Sequence, residues 1–197
     1  MVLRSVFVLG VCAAVGLVFA DELITIPTGL RVPDRQFSFR SSTAQSLRGK
    51  SRFSLATGYA STMELRGEWF DGRLDGSAAL QLLPSLADRI PGIMVGIEQV
   101  GNQFHGRSAY GVFTFEFNQY GERNATSPVQ LTLGGGSGRL AGLFMGLKLP
   151  ATNEFAMITE YDTSEIAAGI EVKLRDRLKT QWVFRRGSTS LQFELRF

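Results

Sequence analysis

From Arg35 to the last residue, apolar and polar side chains alternate in stretches of roughly ten, with turn-forming residues between them. A period of two predicts strands with one apolar and one polar face. Segments of this kind can be marked at approximately 35–45, 50–59, 61–70, 74–83, 92–101, 107–118, 128–136, 139–149, 154–162, 165–175, 178–186 and 189–197. The breaks carry Arg48-Gly49, Asp71-Gly72, Gly101-Asn102, Gly121, Asn153, Asp162-Thr163-Ser164, Asp176-Arg177 and Gly187-Ser188, most of which turn a chain at low cost. In 165–175, Ile166, Ala168, Ile170, Val172 and Leu174 oppose Glu171, Lys173 and Arg175. In 107–118, Ala109, Gly111, Phe113, Phe115 and Phe117 oppose Tyr110, Thr114, Glu116 and Asn118. Helical periodicity is nearly absent, the doubtful stretch being Leu83 to Arg89 between Pro84 and Pro91.

Strands of this length, repeated and hairpin-linked, predict an all-β, transmembrane antiparallel β-barrel of about twelve strands, ten also fitting the pattern, with lipid outside and water inside. A soluble secreted β-sandwich would alternate too, but it leaves sheet edges that a barrel removes. Phe37, Tyr59, Trp69, Phe117, Phe155, Tyr161, Trp182 and Phe197 lie near segment ends on the apolar face, where interfacial girdle residues belong. An Arg or Lys on that face, at Phe115 or Ile170, is expected to cost about 2–4 kcal/mol, and to be tolerated better at Thr114 or Ala167 on the other face.

The start of the chain adds a location. Arg4, an apolar run from Val6 to Phe19 and the sequence Val18-Phe19-Ala20 predict a cleavable signal peptide over 1–20, with the mature chain starting at Asp21. The run is too short for a helical span. Residues 21–34 are then expected to form an N-terminal periplasmic segment, and 35–197 the outer-membrane barrel. Cys12, the only cysteine, lies within the leader, which excludes disulfides and thiolate chemistry from the mature chain. A formal net charge of +3 with basic residues scattered and never forming a run excludes a nucleic-acid footprint.

The polar face carries Arg40, Arg52, Glu64, Arg66, Glu68, Glu98, Glu116, Lys148, Glu160, Lys173, Arg185, Glu194 and Arg196. Both signs occur on neighbouring strands, so these lumen-facing charges are expected either to line a narrow water path or, more in keeping with the mixed signs, to fill the lumen with ion pairs. Catalytic chemistry has little support. His105, the single histidine, sits in a loop with Ser108 nearby but no hydrolase motif, and Glu64 and Glu68 look like ordinary lumen charges. No cofactor is expected, and one histidine without a mature cysteine excludes the usual zinc sites; loop carboxylates such as Asp71, Asp75 and Asp88 lack EF-hand spacing. Gly134-Gly135-Gly136 with Gly138 has no following helix or GK[ST], and reads as a wide turn rather than a phosphate cradle. Asn124-Ala125-Thr126 reads as a turn.

The ending Leu191-Gln192-Phe193-Glu194-Leu195-Arg196-Phe197 resembles the C-terminal strand signal of bacterial outer-membrane barrels, which implies that Phe193, Leu195 and Phe197 are read by the barrel-assembly machinery. Further, Ile26-Pro27-Thr28-Gly29, Val32-Pro33-Asp34, Pro91-Gly92-Ile93-Met94-Val95-Gly96-Ile97 and Glu160-Tyr161-Asp162 with Ala168-Gly169-Ile170 resemble motifs of the YjbH-like outer-membrane proteins associated with exopolysaccharide production. Better-known members are much longer. That resemblance implies a non-enzymatic envelope component accessory to exopolysaccharide production or export, with outer-membrane lipid and a polysaccharide or its export apparatus as partners. A narrow porin-like diffusion channel is the alternative, and a lipid-modifying outer-membrane hydrolase a distant third.

Overall fold

The computed structural model describes residues 25–44, 51–102, 106–118, 127–175, 178–186 and 188–196. The expected signal peptide over 1–20 with Cys12, His105, Asn124-Ala125-Thr126 and Phe197 lie outside the described residues. Twelve strands follow one another: β1 Phe37–Ala44, β2 Ser51–Tyr59, β3 Met63–Phe70, β4 Arg73–Leu83, β5 Gly92–Glu98, β6 Ser108–Phe117, β7 Val129–Gly136, β8 Gly142–Pro150, β9 Phe155–Tyr161, β10 Ile166–Arg175, β11 Leu178–Arg185 and β12 Ser188–Arg196. Each pairs antiparallel with its neighbours in sequence, and β1 closes on β12 from Ser38↔Arg196 to Ala44↔Ser190. The result is a closed barrel with no free sheet edge.

The alternation read from the sequence separates outside from inside. Outward side chains include Leu55, Leu65, Leu80, Ile97, Phe113, Leu133, Met145, Met157, Ile170 and Trp182, all exposed on the barrel wall. A belt of large apolar side chains on every side suits hydrocarbon and would be untenable in water. Aromatics collect at its two borders. Phe37, Tyr59, Phe117 and Phe155 lie outward near the rim where β1 begins and β12 ends, called here the terminal rim. Trp69, Tyr161 and Trp182 lie outward toward the opposite, far rim.

Four expectations change. Residues 139–141 do not extend β8: a short 3-10 turn, Gly138–Leu140, fills the β7–β8 connection. The Gly134-Gly135-Gly136 run is the end of β7 rather than a turn, because the Phe144 ring lies across the inward face of Gly134, where a Cβ would collide with it. The stretch around Leu86 is a tight antiparallel bridge to Ile90, not a helix. Finally, Thr114 and Ala167 are not tolerant positions: both are inward and fully buried, Ala167 within the apolar lumen cluster.

That cluster comes from a further departure. The stretch 25–34, expected outside the barrel, runs inside it. Ile26 packs with Met94, Val112, Leu140, Phe144, Ile158, Ala167 and Val183, and Val32 packs with Ala56. The lumen wall makes room for it with glycine. A Cβ at Gly29 would meet the backbone of Gly92, and one at Gly58 the carbonyls of Val32 and Pro33.

Candidate functional site: the barrel lumen

The interior is built from two unlike walls. Along β8 and β10–β1, charged side chains answer one another. Lys148 Nζ lies 3.0 Å from Glu171 Oε1, and Lys179 Nζ lies 3.3 Å from Glu171 Oε2 and 3.0 Å from Glu194 Oε2. Glu194 also takes Arg40 Nη2 at 3.0 Å, Arg196 Nε at 2.7 Å and a hydroxyl donated by Ser38 at 3.3 Å. The Gln181 amide donates to Glu171 at 2.9 Å. Glu171, Lys179, Glu194 and Arg196 are almost completely buried, so each ion depends on the next to offset its lost hydration.

Along β3–β6 the wall carries Glu64, Glu68, Asp75, Glu98 and Glu116 against Arg66, and much of its polar capacity is taken by the segment 25–34. The Val32 amide donates to Glu64 Oε2 at 2.9 Å, while Arg66 holds Glu64 Oε1 at 2.9 Å. The Gly29 amide donates to Thr114 Oγ1 at 2.7 Å, and Gln81 Nε2 donates to the Gly29 carbonyl at 2.9 Å. Pro27 and Pro33 bring no N–H into this enclosed space, which lightens the donor accounting of an unpaired extended chain.

The two ends of the segment are held differently. At the terminal rim, the Asp34 carboxylate accepts the Ser61 amide at 2.7 Å and its hydroxyl at 2.9 Å, and pairs with Arg31 at 2.9 Å. The Ser61 hydroxyl, above all, holds this carboxyl below the ordinary aspartate range. At the far rim, Glu160 accepts the Thr25 amide at 3.0 Å and hydroxyl at 2.5 Å and the Ile26 amide at 3.3 Å. Arg185 Nη2 bridges Glu160 at 3.0 Å and Thr25 Oγ1 at 2.7 Å, and its other nitrogen reaches Asp162 and Glu165. Arg139 Nη2 contacts Glu98 at 2.7 Å and the Thr25 carbonyl at 3.4 Å. Burial works against the Asp162 carboxylate, but the Ser164 hydroxyl, the Glu165 and Ser164 amides and Arg185 outweigh it and lower its pKa.

Beside Thr25 a cavity of about 100 Å³ opens between the walls, lined by Arg40, Arg52, Arg139, Glu68, Glu98 and the polar groups of Ser42, Ser54, Gln99 and Gln192. Arg52 lies 5.6 Å from the Phe70 ring centroid and has no acidic partner among the described residues. The cavity therefore presents one uncommitted guanidinium among hydroxyls and amides.

Of the charges read from sequence, Arg40, Lys148, Glu194 and Arg196 fall in the first wall's network; Glu64, Arg66, Glu68, Glu98 and Glu116 line the second; Glu160 and Arg185 hold the segment's tip; Arg52 lines the cavity. Lys173 donates to the Ser127 hydroxyl at 2.9 Å near the terminal rim, and Glu116 accepts from Gln130. Sequence reading placed Glu171 on the polar face without singling it out, and left Lys179 and Arg139 out of the site. Lys179 sits two residues past a turn, and Arg139 lies in a connection, where alternation carries no information. Ser108 is buried and its hydroxyl accepts the Arg139 amide at 2.9 Å, so it does not present itself as a nucleophile. Asp75 accepts the Gly76 and Gly101 amides and Asp88 the Asn118 amide, and no group of potential metal ligands forms among the described residues.

A closed twelve-stranded antiparallel barrel with an apolar belt, two aromatic girdles and a charged interior is the architecture of a transmembrane β-barrel. Comparison with solved structures agrees on the fold: a KdgM porin (TM-score 0.55) and a KdgM porin in complex with disordered oligogalacturonate (TM-score 0.54) each share 10% identity, over 82% of this chain and 98% of theirs. No protein-family profile and no curated protein matches the chain.

Proposed function

We propose that this chain is a non-enzymatic outer-membrane diffusion channel, porin-like and narrow, that admits short anionic saccharides. The observation that carries the reading is the far-rim cavity, where Arg52 without an acidic partner stands with Arg40 and Arg139 among hydroxyl and amide groups. Guanidinium forks bind carboxylates in a planar, two-point geometry, and the surrounding Ser, Gln and Glu side chains suit sugar hydroxyls. The porin fold of the two structural neighbours, one of them complexed with oligogalacturonate, supports passage over an accessory role in exopolysaccharide production. Insertion through the barrel-assembly machinery, read from Phe193, Leu195 and Phe197, belongs to the same proposal.

Swelling of proteoliposomes in isotonic trigalacturonate and in maltotriose tests it. Swelling in trigalacturonate should exceed that in the neutral trisaccharide, and Arg52→Ala should slow it by about 3- to 10-fold, the loss of one charge-assisted contact. Rates equal to those of empty liposomes in both sugars would refute a channel, and faster entry of maltotriose would refute the anionic preference.

A further inference from the structure

The segment 25–34 occupies the space between the walls, from the cavity of about 100 Å³ beside Thr25 to its clasp at the terminal rim. A sugar that follows this path through the lumen meets that segment. Resting on the channel reading above, we infer that residues 25–34 are a tethered plug, released when an anionic saccharide competes with Thr25 for Arg139 and its neighbouring cations at the far rim.

Three observations carry this. First, the two ends have different surroundings. At the tip, Glu160 accepts the Thr25 and Ile26 amides and the Thr25 hydroxyl, while Arg185 and Arg139, which pair with Glu160 and Glu98, donate to the Thr25 hydroxyl and carbonyl. At the terminal rim, the segment continues directly into β1 and is clasped by Asp34 to the β2–β3 turn at Ser61. A freed tip therefore leaves the lumen without leaving the protein. Second, Thr25 and Arg139 both line the same cavity as Arg52, so a carboxylate drawn to Arg52 arrives beside the bond that holds the tip. Third, between its ends the segment meets the wall through hydrogen bonds with side chains, at Gly29, Arg31 and Val32, and not through a strand ladder. Its backbone pairing is confined to isolated bridge residues, Pro27 within the lumen and Asp34, which pairs with Gly58 at the rim. A ligand that binds the arginines only when they are withdrawn from Thr25 shifts the population toward the plug-out state by its differential affinity.

Thr28, 2% exposed within the plug, gives a reporter. In a Cys12→Ser background no other cysteine remains, so Thr28→Cys is a single thiol. Its rate of reaction with a small charged thiol reagent is measured in outer-membrane vesicles, with folding checked by heat-shifted gel migration and reagent entry by Ser54→Cys in the cavity wall. Without ligand, the Thr28→Cys thiol should react at least 10-fold more slowly than the Ser54→Cys thiol. Trigalacturonate should raise the Thr28→Cys rate at least 10-fold, and maltotriose should leave it unchanged. A rate that is already fast without ligand overturns the plug. A slow rate that trigalacturonate leaves unmoved overturns release by the anion. The outcome is separable from the channel reading: swelling in trigalacturonate with a silent thiol leaves a channel without this gate, and a responsive thiol without swelling leaves the gate without passage.

Discussion

The two lumen walls satisfy buried charge in opposite ways. Along β8 and β10–β1, cation and carboxylate come from neighbouring strands and pair with one another, while Arg185, Ala167 and Val183 on the same strands also meet the segment 25–34. Along β3–β6 acids outnumber bases, and the amides and apolar side chains of residues 25–34 make up the difference. The first wall is thus a permanent part of the barrel. The second is finished by a piece that is continuous with the barrel only at one end, and this makes a lumen that is filled and yet able to open.

The largest effect should follow from breaking the ion-paired wall. Glu194→Gln leaves Lys179, Arg40 and Arg196 without the carboxylate that joins them, and stability should fall by about 3–5 kcal/mol in urea titrations of the vesicle-inserted barrel. A loss under 1 kcal/mol would show that the network is hydrated rather than buried. Next comes the outer surface of the same wall, where β10 carries Ile170 toward lipid beside inward Glu171. Ile170→Arg should cost about 2–4 kcal/mol, and a neutral result would place Ile170 outside the hydrocarbon.

On the other wall, Glu64→Gln removes the charge that receives Val32 and Arg66, and should cost about 1–3 kcal/mol, the range for weakening a buried hydrogen-bonded group. Because Glu64 joins the plug to Arg66 whereas Glu194 joins Lys179, Arg40 and Arg196, the unfolding midpoint should shift less than for Glu194→Gln; an equal shift would erase the distinction between the walls. The smallest effect is set by pH. Asp34 and Asp162 have lowered pKa values in the folded chain, so the stability they contribute is fully present above the unfolded aspartate value, about 3.9, and is lost as pH falls through their lower folded values. Unfolding midpoints should therefore drop on moving from pH 5 to pH 2.5, and the drop should shrink in Ser164→Ala, which removes a hydroxyl that Asp162 accepts.

Much of the barrel was legible because lipid on one side and a narrow lumen on the other impose the period of two on strand after strand. Ile166 to Leu174 shows it most plainly, and even the strand ends were placed within a few residues. The plug escaped for the same reason in reverse. Ile26-Pro27-Thr28-Gly29 is enclosed by wall all round, so it has no apolar and polar face to alternate, and its two prolines mark it as extended without saying where it lies. Its traces were present on the wall instead: Gly58 and Gly92 stand where the chain passes. Arg52, Glu64 and Glu160 were legible as inward charges, but not that one meets ligand space and two meet backbone amides, since that depends on a segment remote in sequence.

The most direct test of the account compares planar-bilayer currents of the intact chain with those of a chain from which residues 25–34 are deleted, both shown to be folded by heat-shifted migration. The account predicts a silent or rarely open intact chain and a steadily conducting deletion. Equal conductance of the two would contradict it, because a segment that fills the lumen would then not close it.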